Sequence, residues 1–122
     1  MELKIKLSST DKLFSRERRL MADGICDVCH RKVGLNKLQV MHFHSRRKRS
    51  VRWDRQNVAV GCFGCHQRLD SEPLEKVEFF RGRMNNIEFD LLNARALKIR
   101  KWTPAEIKEL EADLKDKISR LE

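Results

Sequence analysis

Two Cys-x-x-Cys-His knuckles, Cys26-Asp-Val-Cys29-His30 and Cys62-Phe-Gly-Cys65-His66, bracket His42, His44 and Asn57. Four thiolates offered in pairs from tight turns can close a tetrahedron around Zn²⁺ with no position left open, which makes such a site structural. The pairs stand 32 residues apart. That exceeds the usual ribbon spacing, so a working insert lies between them. Its side chains suit work on a phosphodiester. His42 can deprotonate an attacking water, Asn57 can hold a loop or an imidazole, and His66 can reach back toward a catalytic cation.

Other readings of the cysteines fit less well. A thioredoxin-like redox motif needs one pair on a βα unit. Both c-type haem attachment and secreted disulfides call for export, and the alternating start Met1-Glu2-Leu3-Lys4-Ile5-Lys6-Leu7 has neither an h-region nor a cleavage site. A reducing cytoplasm is therefore expected, where thiols bind metal. No apolar run reaches the roughly 20 residues that span a membrane.

Charge is unevenly placed. The net charge is +9, and residues 1–70 hold 16 Lys and Arg against 7 Asp and Glu. Residues 71–122 hold 11 of each. A basic half joined to a neutral half predicts a polyanion-binding face with a scaffold or docking element. The charge peaks at Arg46, Arg47, Lys48, Arg49, Arg52 and Arg55, where Asp54 is the one acid. These cations suit DNA phosphates. A nuclear-localisation reading of the run fits poorly with the rest of the chain. Trp53 suits either stacking on a base or packing on the zinc module.

The elements that position these groups follow from pattern. Residues 3–7 read as a short strand or ordered tail. Asp11 reads as the N-cap of a helix over 12–22, stopped by Gly24. A short strand over 38–41 runs into His42, residues 45–50 form a basic loop, and 51–53 return as a strand or a turn. Residues 57–60 lead to the second knuckle, with a helix from near His66. Beyond residue 71 the period is helical, with Leu74, Val77, Phe80 and Met84, then Ile87, Leu91, Ala94 and Leu97. Thr103-Pro104-Ala105-Glu106 is a capping box with Pro at N1, opening a helix whose stripe should pack on residues 74–97. The division expected is a basic zinc-binding core over 1–72 and a helical extension over 73–122.

Cys26/Cys29, Met41-His42-Phe43 and Asn57-Val58-Ala59-Val60-Gly61-Cys62-x-x-Cys65-His66 resemble the zinc-containing H-N-H, or ββα-metal, endonucleases. The narrower resemblance is to phage recombination proteins of the lambda NinG (Rap) type. It is carried by Asp11–Arg19, His42-Phe43-His44-Ser45-Arg46, Arg52-Trp53-Asp54-Arg55-Gln56-Asn57 and the two Cys pairs, with a weaker match in Trp102-Thr103-Pro104-Ala105-Glu106-Ile107. The spacing is also similar to that of phage endonuclease VII, a junction resolvase. The resemblance implies a small α+β fold, a zinc-stapled ββα-metal core with an N-terminal helix and a C-terminal helical extension. It implies metal-dependent hydrolysis of branched or single-strand-containing DNA in a bacterial host cell. His42 would be the base, Asn57 the H-N-H asparagine and His66 a ligand of the catalytic metal. Many of these enzymes carry Asp just before the base, where this chain has Met41, a poor ligand for Mg²⁺. His44 is then a candidate ligand, and the cation is Mg²⁺ or Mn²⁺, or Zn²⁺ or Ni²⁺ if imidazoles dominate. The rivals are a catalytically silent zinc-dependent nucleic-acid-binding module and a non-specific or nicking H-N-H nuclease for packaging. The helical extension could also pair two copies into a homodimer.

Overall fold

A computed structural model describes residues 6–122. Its elements are helix α1 (Ser9–Met21), strands β1 (Leu38–His42) and β2 (Val58–Cys62), then helices α2 (Phe63–Ser71), α3 (Pro73–Arg81), α4 (Asn86–Ala96) and α5 (Pro104–Leu121). The fold is small and α+β, built on a two-stranded antiparallel ribbon. The strand or tail read over 3–7 lies, through residue 5, outside the described residues. No helix among the described residues is long and apolar enough to cross a membrane.

The start of α1 differs from expectation. Ser8 is the N-cap: its hydroxyl accepts from the Asp11 amide, and the Asp11 carboxylate accepts from the Ser8 amide at 2.8 Å. Asp11 is therefore the third helical residue of a capping box rather than the cap. Residues 51–53 take the turn rather than the strand, following a single 3₁₀ turn at Arg49–Val51. Helix α2 begins at Phe63, so Cys65 and His66 both lie in its first turn.

In the ribbon, Leu38 faces Cys62 and His42 faces Val58. Alternation sends Leu38, Val40 and His42 to one face and Gln39 and Met41 to the other. Leu38 and Val40 join Phe14 and Leu114 in one core cluster. Met41 joins Ala59, Leu69 and Phe80 in another. Gly61 makes room for it: a Cβ there would stand 3.1 Å from Met41 Cε.

Helix α5 packs along α1, not against residues 74–97. Leu110 and Leu114 cover Phe14, Ser9 and Thr10 donate to Glu111, and Arg16 pairs with Glu122. The apolar side of α1 would otherwise face water, and burying a Phe or Leu contributes roughly 1.5–3 kcal/mol. Helix α4 also turns the other way. Phe89, Leu92 and Ala96 are buried, whereas Ile87, Leu91 and Leu97 of the expected stripe are exposed.

Candidate functional site

The sulfurs of Cys26, Cys29, Cys62 and Cys65 all lie within 4.8 Å of one another. Four sulfurs held about 2.3 Å from a tetrahedral zinc stand about 3.8 Å apart, so the donor set fits the ion. The amides of Val28, Cys29 and Cys62 point at the Cys26 sulfur from 3.4, 3.5 and 3.4 Å. Amide donors favour a thiolate there. The Arg31 guanidinium brings Cys29 down to about 6, while burial pushes Cys65 up to about 12. Four thiolates this close need a divalent cation to coexist.

Local backbone brings the knuckles together. The His30 amide closes the first turn on the Cys26 carbonyl at 2.9 Å, with His30 at φ 63. Its imidazole is exposed, in keeping with a surface role. Asp27 then fixes this turn to the outer edge of β2. Its amide donates to the Val60 carbonyl at 2.8 Å, and its carboxylate accepts from the Val60 amide at 2.7 Å. Cys26 is thereby held beside Cys62.

The loop between the strands is organised by Asn57, which is 0% exposed. Its side-chain oxygen accepts from the His44 amide at 2.8 Å, and its Nδ2 donates to the carbonyls of His44 and Val51 at 3.0 Å each. Asn57 thus pins both ends of the basic loop. Helix α4 holds the same loop from outside. Asn93 bonds His44 Nε2 at 2.8 Å, the Arg95 carbonyl accepts from Ser50, and the Arg95 guanidinium grips Asp54 and Gln56.

His42 ends β1 just before this loop. Its Nε2 donates to the Arg52 carbonyl at 3.0 Å. That bond fixes the hydrogen on Nε2 and leaves the lone pair on Nδ1. Nδ1 and Arg46 Nε are buried and have no hydrogen-bond partner among the described residues. Burial, together with the charge of Arg46, lowers His42 to about 4. The ring is therefore neutral across the physiological range, with a free acceptor.

His66 does not join this group. Its Nδ1 faces Gln39 Oε1 at 2.6 Å and its Nε2 faces Asp70 Oδ2 at 3.1 Å. Gln39 and His42 are three residues apart on β1 and leave opposite faces, which puts about 10 Å of ribbon between their attachment points. Met41, 1% exposed, fills the space between α2, α3 and the ribbon with apolar atoms. Among the described residues, the only group of three or more Cys, His, Asp or Glu side chains gathered for a metal is the four cysteines. A catalytic cation is thus given no ligand set of that size by His42, His44 and His66.

The basic residues divide into two kinds. Arg47, Lys48 and Arg49 are exposed on the loop, and Arg46 is half-buried. Arg52 is not a phosphate contact of that kind. Its Nε and Nη2 bind the Asp11 carboxylate at 2.9 and 2.5 Å, and Trp53 Nε1 donates to the same group at 3.0 Å. Burial alone would raise Asp11, but these bonds hold it well below the usual carboxylate range. Trp53 packs on the core and meets Trp102 edge to face at 5.1 Å, so it is no free stacking platform.

Arg55 turns away from the loop to pair with buried Glu17 at 3.5 Å, beside Arg18 on the same carboxylate. With Arg83, which pairs with Asp27 at 3.4 Å, Arg18 and Arg55 line a groove of about 230 Å³ along the outer edge of β2. Sequence reasoning missed Arg18 and Arg83 as a pair with Arg55. They come from three separate elements, and only the fold assembles them. No protein-family model, curated protein or solved structure matches the chain.

Proposed function

We propose that this chain is a zinc-stapled endonuclease of the H-N-H type that hydrolyses phosphodiester bonds in DNA. The observation that carries the reading is His42, held by the Arg52 carbonyl through Nε2, with Nδ1 unpartnered beside the basic loop. Substrate entry would open the loop over the buried Nδ1. An attacking water then gives its proton to Nδ1 as its oxygen bonds to phosphorus, the bond to the 3′ oxygen breaks, and that oxygen takes a proton from solvent. Arg46 faces the charge that develops on the phosphoryl oxygens. A phosphate beside Arg46 also offsets the guanidinium charge that lowers His42, so substrate raises the base toward useful strength. Asn57 acts by holding the loop. The divalent cation of H-N-H chemistry would neutralise the pentavalent phosphate when bound. The described residues gather no three-ligand site for it outside the thiolates.

Branched or partly single-stranded DNA is the substrate class favoured by the resemblance to phage recombination proteins. The test is cleavage of a four-way junction and of the matching linear duplex, each under Mg²⁺ and under Mn²⁺. Junction preference supports a recombination nuclease; equal cutting supports a non-specific or nicking enzyme. A second reading, a silent zinc-dependent nucleic-acid-binding module, is favoured by buried Met41, at the position where many H-N-H enzymes carry Asp. It predicts binding without cleavage under either metal.

A further inference from the structure

Helix α4 has two apolar sides. Phe89, Leu92 and Ala96 face the protein, and Val51 of the basic loop packs on Leu92 and Ala96. The other side faces outward. Ile87 is 71% exposed, Leu91 55%, Leu97 81% and Ile99, just beyond the helix, 92%. Side chains of this size at these exposures present on the order of 500 Å² of apolar surface, at the upper end of what monomers show. Two such patches together would bury about 1,000 Å², the threshold of a specific interface.

We propose that this face pairs with the same face of a second copy, with the two α4 helices antiparallel. Three features select that occupant. The exposed Ala94 lies midway between Asp90 and Lys98 and lets two helices approach closely at their crossing. A two-fold axis at Ala94 sets Leu91 against Leu97 of the second copy. It also sets exposed Asp90 against exposed Lys98 of the second copy, twice over, because a two-fold contact is self-complementary. Asp90 precedes Ala94 on the helix and Lys98 follows it just past the helix end, so only the antiparallel arrangement matches these two charges. Because Asn93 and Arg95 hold the basic loop from this same helix, pairing would fix the spacing between two loops. That last consequence rests on the proposed function; the pairing itself does not.

Sedimentation equilibrium of the full zinc-loaded chain tests it, with no nucleic acid present. The wild type should sediment as a dimer at tens of micromolar. Leu91→Glu should weaken association by about 100-fold or more. Asp90→Lys and Lys98→Asp should each weaken it by about 10-fold, and the double variant should recover most of that loss. All substituted positions are exposed, and a thermal melt of each variant checks that the monomer is intact. A wild type that stays monomeric at hundreds of micromolar overturns the pairing. So does a dimer indifferent to Leu91→Glu, or a double variant no better than the singles. Each of these outcomes leaves the nuclease reading untouched, since none measures cleavage.

Discussion

The carbonyl oxygen of Arg52 lies 3.0 Å from His42 Nε2 and accepts its hydrogen. The guanidinium of the same residue holds Asp11 at the start of α1. One residue therefore sets the tautomer of the candidate base and ties it to the capping box of a helix. The proposed site is a property of this link, of Asn57 beneath the loop and of the zinc knuckles that close the ribbon.

Zinc should be part of the fold. Metal analysis should give one ion per chain, and removing it with a strong chelator should abolish the cooperative melt, since structural zinc contributes about 10–16 kcal/mol in small metal-dependent folds. Cys26→Ser should behave like the stripped protein. A metal-free protein with an unchanged melting curve would contradict the assignment.

Arg52→Ala and Lys48→Ala should separate scaffold from contact. Arg52→Ala leaves the buried Asp11 carboxylate without its cation and should cost about 3–5 kcal/mol in urea denaturation. Lys48→Ala should leave stability within about 0.5 kcal/mol and reduce the salt slope of DNA binding by about 1. Equal stability of the two variants would mean that the Arg52–Asp11 pair is not structural.

Asn57→Ala removes three hydrogen bonds in the interior and leaves the His44 and Val51 carbonyls without their side-chain donor. The expected loss is about 2–4 kcal/mol, and the basic loop should gain hydrogen-exchange rate before the ribbon does. Uniform exchange across loop and ribbon would argue that Asn57 does not organise the loop.

His42 also predicts a pH effect. Its value falls from 6.5 to about 4 on folding, so the native state favours the neutral ring. Stability from this group is complete above about 6.5 and declines as pH falls toward about 4, by up to about 3 kcal/mol. His42→Gln should flatten that part of a stability-against-pH curve. Asp11, also lowered, keeps its contribution through this window and loses it only at more acid pH. An unchanged curve in the variant would remove His42 as the buried neutral group.

How much of this was legible in the sequence depended on the range of the signal. Thr103, Pro104 and Glu106 form the capping box expected of them, because the motif is complete within four residues. The two Cys pairs converge as their spacing implies. Asp11 was misread because Ser8 and Asp11 both favour an N-cap, and the box uses both. The inner face of α4 could not be chosen from periodicity, since apolar residues run around the helix: Ile87 and Leu91 on one side, Phe89 and Leu92 on the other. The roles of Arg52 and Trp53 were hidden because their shared partner, Asp11, is about forty residues away. The separation of His66 from His42 was hidden for a related reason. Order along the chain places them on neighbouring elements, but only strand alternation puts them on opposite faces.

The most direct test compares wild type and His42→Ala on one labelled four-way junction, measuring binding and cleavage on the same preparations. The account predicts metal-dependent cutting by the wild type, a loss of about 10²–10⁴-fold in rate for His42→Ala, and affinity for the junction kept within a few-fold. Equal cutting by both proteins, or tight binding with no cutting by the wild type under Mg²⁺ or Mn²⁺, would contradict His42 as the general base.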